Sequence, residues 1–176
     1  LGLLYDKQNN FDLAKKYYLM AIEYNHNDAM YNLGLLYYTR NYFDLAEKYY
    51  LMAIREKQND ALYALGFLYY NQQRFDLAEK YYNEAANAGE SDAVYNLAML
   101  YQTQGKYDLA QKYLADAAVK SNNPDIYYNL ALSCDKAKNK TEAEKYYVKT
   151  MELSSSSTGS PSELSLKAMN NLGLLY

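Results

Sequence analysis

The sequence predicts an all-α protein, an α-solenoid of antiparallel helix-turn-helix repeats, and three observations carry that expectation. The first is a fixed period. The leucine opening each LGLLY-like block falls at Leu1, Leu33, Leu65, Leu97, Leu130 and Leu172, spacings of 32, 32, 32, 33 and 42 residues. Such a repeat is one supersecondary unit that buries its apolar face only by stacking on its neighbours. The second is a helical spacing of apolar residues inside every repeat. The third is composition: seven Gly and two Pro in 176 residues, about 5% where roughly 12% is usual, too few for collagen, Pro-rich disorder or a turn-dense β fold.

Each repeat holds two helical blocks. In DAMYNLGLLYY (28–38), Met30, Leu33, Gly34 and Tyr37 recur at i, i+3, i+4 and i+7, one stripe of a helix, here helix A. In the second block Phe43, Ala46, Tyr50 and Ala53 lie at i, i+3, i+7 and i+10, with Glu47 and Lys48 left for the outer face, giving helix B. That block recurs as FDLAKKYYLMAI (11–22), FDLAEKYYLMAI (43–54), FDLAEKYYNEAA (75–86), YDLAQKYLADAA (107–118) and a weaker KTEAEKYYVKTM (140–151). A single repeat array over 1–176 is expected, with units near 1–26 (partial), 27–58, 59–90, 91–123, 124–153 and 161–176 (partial). The joints carry Asn9-Asn10, Asn41, Gln72-Gln73 and Gly105 from A to B. From B to A they carry Asn25 to Asp28, Asn59-Asp60, Ser91-Asp92 and Asn123-Pro124-Asp125. These residues suit tight turns and N-caps, and Pro124 suits a first helical turn.

Small residues form columns. Gly2, Gly34, Gly66, Ala98, Ala131 and Gly173 of helix A are expected against Ala14, Ala46, Ala78, Ala110 and Ala143 of helix B. A mid-helix Gly costs about 1 kcal/mol relative to Ala, so its return in one column implies that a neighbouring backbone needs the space. A third column, Ala21, Ala53, Ala85 and Ala117, is expected to admit the next helix A. Regularity breaks at the Ser-rich insertion 154–160, read as a polar surface loop, with a phosphorylation-sensitive hinge as its functional alternative. Ser160-Pro161-Ser162-Glu163 reads as a capping box with Pro first in a new helix. Lys140 stands where other units carry Phe or Tyr before helix B, and the weakest contact of the array is expected there.

Leu33-Gly34, Tyr37, Ala46, Tyr50 and Ala53, recurring through nearly the whole chain, resemble the tetratricopeptide repeat. Two departures are a period of 32 rather than 34 and the missing proline near the end of helix B; short joints such as AGESDAVYNLA (88–98) are similar to those of SEL-like repeats. The resemblance implies a right-handed superhelix whose concave wall is the second face of helix A. Its columns are Tyr31, Tyr63, Tyr95 and Tyr128; Leu35, Phe67, Met99 and Leu132; and Tyr38, Tyr70, Gln102 and Asp135. Tyrosine offers a rigid contact surface with a polar tip, the chemistry of interface hot spots; the bland alternative is that the rings only line the wall. Beside them Asn32, Asn96, Asn129 and Asn171, interrupted by Ala64, place an amide donor and acceptor where an extended backbone could be held. Duplication of a YNLG motif explains the same ladder without a ligand. The expected binding residues are therefore Tyr31, Asn32, Leu35, Tyr38, Tyr63, Phe67, Tyr70, Tyr95, Asn96, Met99, Tyr128, Asn129 and Leu132. Asp28, Asp60, Asp92 and Asp125 begin successive A helices and serve the helix dipole, with a cation-seeking rim as the second reading. A grip on a terminal carboxylate, known in the family, is disfavoured because Tyr and Asp occupy the matching columns.

Net charge is −3 with a pI near 5.2, which argues against nucleic acid, whose binders carry basic excess. No run approaches the ~20 apolar residues of a membrane span. His26 reads as an exposed turn residue, and the lone Cys134 as buried and inert. With no phosphate loop and no Cys/His cluster, no cofactor, metal or catalytic activity is expected. The expected role is a protein-interaction scaffold or adaptor that takes a peptide or protein partner on the helix A face. The alternative is an architectural subunit that docks by its ends or outer faces. The LGLLY at both ends reads as a segment of a longer array, with end-to-end self-association an expectation of its unpaired apolar ends. Compartment is not given; an intracellular setting is the default expectation.

Overall fold

The computed structural model describes residues 1–154 and 161–176, and the described residues form helices with no strand. In order they are α1 (Gly2–Lys7), α2 (Phe11–Glu23), α3 (Asp28–Tyr38), α4 (Phe43–Arg55), α5 (Asp60–Asn71), α6 (Phe75–Asn87), α7 (Ser91–Thr103), α8 (Tyr107–Ser121), α9 (Pro124–Lys136), α10 (Lys140–Ser154) and α11 (Glu163–Leu174). Odd-numbered helices are the A helices and even-numbered ones the B helices. The chain gathers into two compact units, Leu1–Ala93 and Val94–Tyr176.

The joints from α1 to α10 are tight because each contains a left-handed residue. Asn9, Asn41, Gln73, Gly105 and Lys138 turn A into B, and Asn25, Lys57, Gly89 and Asn122 turn B into A, all at positive φ. At the A-to-B joints the next N–H then reaches back five residues, as from Tyr42 to the Tyr37 carbonyl at 3.0 Å and from Arg74 to that of Tyr69 at 2.9 Å. His26, Gln58 and Glu90 do the same to Ala21, Ala53 and Ala85. This pattern satisfies the orphan carbonyls at a helix end without a proline, which accounts for the missing prolines and the short period. The joint before α9 differs. Pro124 requires an extended residue before it, and Asn123 is extended (ψ 124°) with its side chain accepting from Asp125 N–H. Here α8 runs to 15 residues instead of the 13 of α4 and α6, and the extra residue in the period is absorbed.

In the first unit the buried stripe is the expected one, with Leu33, Leu65, Ala46, Ala78, Ala53 and Ala85 fully enclosed; Leu36 and Leu68 join it. The small column serves a different neighbour from the one anticipated. A Cβ built on Gly2, Gly34 or Gly66 would lie 2.6 to 2.7 Å from the ring of Tyr18, Tyr50 or Tyr82. The space is thus required by a helix B ring sixteen residues on, not by a backbone.

In the second unit that pair changes to Ala98 with Leu114, both in one core cluster with Ala131, Ala143 and Tyr147. Ala131 with Tyr147 holds the same register, so an Ala also accompanies a ring in this unit. Ala117 is a correction: Ala118 takes the buried place at 1% exposure while Ala117 is only half-buried, so the buried stripe steps by four residues from Leu114 in the longer α8. The start of the last helix is another. Ser162, extended at ψ 163°, is the N-cap of α11 and accepts from Ser165 N–H, so Pro161 precedes the helix; Ser160 and most of the 154–160 insertion lie outside the described residues. Lys140 replaces the ring with a different contact, its ammonium donating to the Leu175 carbonyl at 2.6 Å.

Candidate functional site

The thirteen expected residues lie on A helices, where the Tyr31, Leu35, Tyr38 stripe faces away from the buried Met30, Leu33, Leu36 side. In the first unit α3 contributes Tyr31, Asn32, Leu35 and Tyr38 and α5 contributes Tyr63, Phe67 and Tyr70; all are half-buried except Phe67, 38% exposed. Half-burial has a cause. Tyr31 leans on the Tyr50 ring at 6.1 Å between centroids and Tyr63 on Tyr82 at 6.0 Å. Tyr38 sits 5.8 Å from Phe43 and 6.1 Å from Phe67, and Tyr70 lies 6.0 Å from Phe75. The rings therefore support one another while keeping an outward edge. Asn71 donates to the Tyr38 hydroxyl at 2.7 Å, which orients that tip.

Electrostatics in this patch are negative. Burial first, then the Asp60 and Glu90 carboxylates and the Tyr63 hydroxyl, push the Tyr31 phenol above its ordinary value. Asp28 and Asp60 occupy the first turns of α3 and α5, where a carboxylate complements the helix dipole. Asp28 also accepts from the Gln58 amide at 2.8 Å.

In the second unit the site residues are Tyr95, Asn96 and Met99 of α7 with Tyr128, Asn129 and Leu132 of α9, all half-buried. The Tyr128 ring is 6.0 Å from Tyr147. The asparagine ladder points much of its donor capacity inward. Asn129 donates to the Tyr95 hydroxyl and to the Asp125 carbonyl, both at 2.9 Å, and Asn171 donates to the Tyr128 hydroxyl at 3.1 Å. Asn32 likewise donates to the Asp28 carbonyl one turn back at 3.0 Å. Each such amide stiffens a tyrosine or its own helix.

One feature escaped the sequence reading. Gln102, in the Tyr38 column, donates to the Asn129 carbonyl at 2.8 Å and to the buried Ser133 hydroxyl at 2.6 Å, clamping α7 to α9. The break of the tyrosine column at Gln102 was its only signal. A second is an open groove of about 690 Å³ lined by Ala115, Val119, Tyr127 and Val148 together with the charged Glu144, Lys145, Lys149 and Glu152; its trace is the shrinkage of one helix B position from Leu51 to Asn83 to Ala115. His26 is exposed. Cys134 is buried, and burial pushes its thiol up to about 11. No group of three or more metal-binding side chains occurs among the described residues, and none of their helices is long and apolar enough to cross a membrane.

Two family models described as tetratricopeptide repeat match the chain, one over residues 1–61 and 95–154 and the other over 60–88. No curated protein matches it. Among solved structures it is similar to YrrB, a tetratricopeptide-repeat protein described as having an unusual peptide-binding site, at 21% identity over 96% of this chain and 88% of that one, TM-score 0.74. It is similar to MamA at 20% identity over 87% and 94%, TM-score 0.75, and to PilF of Pseudomonas aeruginosa at 20% identity over 99% and 88%, TM-score 0.73. At these identities the likeness establishes a shared helical-repeat fold.

Proposed function

The chain belongs to the tetratricopeptide-repeat family, and from that premise we propose that it is a non-catalytic interaction scaffold whose A helices hold a peptide or short helix of a partner protein. The observation that carries this reading is the Tyr38, Phe67 and Tyr70 patch. Core packing explains the inward sides of these rings but not the presence of Phe67 on an exposed position between two tyrosines. Rigid aromatic edges beside half-buried asparagine amides suit the capture of an extended segment, with modest affinity at each helix added along the array. YrrB's peptide-binding site lends the same reading a precedent on this fold.

The test is a tagged capture from the native source, comparing the chain with Leu35→Ala/Phe67→Ala. Phe67 is 38% exposed and meets Tyr38 on the same face, whereas Tyr63 leans on Tyr82 of a helix B and Tyr95 accepts a hydrogen bond from Asn129. Loss of a partner at unchanged helical content is the expected result. Partners unaffected by the variant would place docking on the ends or outer faces instead, the behaviour of an architectural subunit.

A further inference from the structure

α3 and α5 are lopsided in charge. Their 11 and 12 residues include Asp28 and Asp60 and no Lys, Arg or His. The cations of the first unit lie on other elements, where several already cover aromatic rings: Lys48 stands 5.5 Å from the Tyr49 centroid, Arg74 4.5 Å from Tyr69 and Lys80 4.9 Å from Tyr81. Arg74 also pairs with Glu47 at 3.2 Å. Rings near the joints and helix B are thus supplied with positive charge by the chain itself. The Tyr31, Tyr38 and Phe67 side of the unit is supplied with carboxylates, and Asp60 and Glu90 are near enough to bear on the Tyr31 hydroxyl.

We propose that the occupant of the α3/α5 face is a cationic peptide segment, whose Lys or Arg side chains lie along the Tyr31 and Tyr63 rings, one turn from Asp28 and Asp60, with their charged ends toward those carboxylates and Glu90. This rests on the groove reading above and deepens it. A cation over an aromatic face is attracted by the ring quadrupole, and an acidic margin steers such a segment in and rejects an acidic one. An apolar side chain of the same segment covers the exposed Phe67 edge, two turns beyond Asp60 along α5.

The experiment is selection of decapeptides from a random library on the immobilised chain, followed by affinity measurement of the winners on variants. Winners enriched in Lys and Arg are expected. Their Kd should rise about tenfold on Asp28→Asn/Asp60→Asn, the scale of two exposed ion pairs, and rise steeply with added salt. The control is Asp44→Asn/Asp76→Asn, which removes the same charge from the same first-turn position of α4 and α6; it should leave Kd within twofold. Equal weakening by both pairs would reduce the effect to net charge and overturn the proposal. Neutral or acidic winners that lose binding with Phe67→Ala would overturn the cationic occupant while keeping the groove. Winners indifferent to Phe67→Ala and to Asp28→Asn/Asp60→Asn would remove both. Helical content of every variant is read alongside, and Phe67→Ala, at an exposed position, is the one chosen to keep the fold.

Discussion

Gly34 and Gly66 are present for the ring that lies on them. At Gly66 a methyl would stand 2.7 Å from the Tyr82 Cδ1, and Tyr82 is 1% exposed and held on all sides. Gly66→Ala is therefore expected to lower stability by about 1–3 kcal/mol despite its gain in helix propensity, because an overpacked core must shift ring or backbone. Adding Tyr82→Leu should recover part of that loss, since a smaller side chain removes the ring atoms the methyl would meet. Urea midpoints of the two single variants and the double test this, and strict additivity would show that ring and glycine are not coupled. The same neighbourhood logic covers Cys134: a buried thiol with its pKa pushed up to about 11 should react with a thiol reagent at pH 8 far more slowly in the folded chain than after unfolding.

Among the elements, the joints hold recoverable strain. Lys57, Gln73 and Lys138 sit at φ values of 62°, 59° and 64°, a region that costs a residue with a Cβ roughly 1–2 kcal/mol, while Gly bears no such cost. Lys57→Gly and Gln73→Gly are each expected to stabilise by about 0.5–1 kcal/mol, the strain relieved less the added entropy of the unfolded chain. Thermal midpoints check this; a fall at both sites would mean that Lys57 and Gln73 bear side-chain contacts worth more than the strain. At α11 the cap works the other way. Ser162→Ala removes the acceptor for Ser165 N–H and should cost about 1 kcal/mol.

At the scale of the molecule the 24 tyrosines set the response to alkali. Burial first, then the Asp6 carboxylate, pushes Tyr18 up to about 12; burial likewise pushes Tyr147 to about 12, and Tyr50, Tyr69 and Tyr82 move in the same direction. Unfolded phenols titrate near 10. A group whose folded value is raised contributes its full stability below the unfolded value and loses it as pH rises through the folded one. Stability is thus expected to hold up to about pH 10 and to decline between about 10 and 12. Phenolate absorbance and helical dichroism followed together should change in concert for these rings. Complete ionisation near pH 10 with the helices intact would contradict their burial.

How much was legible in sequence follows from range. Helix identity, the A and B alternation and the buried stripe are encoded by apolar spacing within about seven residues and by a 32-residue period, so Leu33, Ala46 and Ala53 could be placed without coordinates. The candidate face was visible for the same reason, as the stripe left over. What sequence could not reach depends on contacts between helices and on backbone angles at the joints. Nothing local marks the Tyr50 ring as the neighbour of Gly34, Gln102 as the clamp on Ser133, Ala118 rather than Ala117 as the buried residue of α8, or Lys57 as left-handed. Those follow from how two helices meet, which no spacing within one helix records. Composition and period determined the architecture and the family of this protein; only the tertiary arrangement decided which tyrosine edges remain open, because ring packing and hydrogen bonding across helices close the rest.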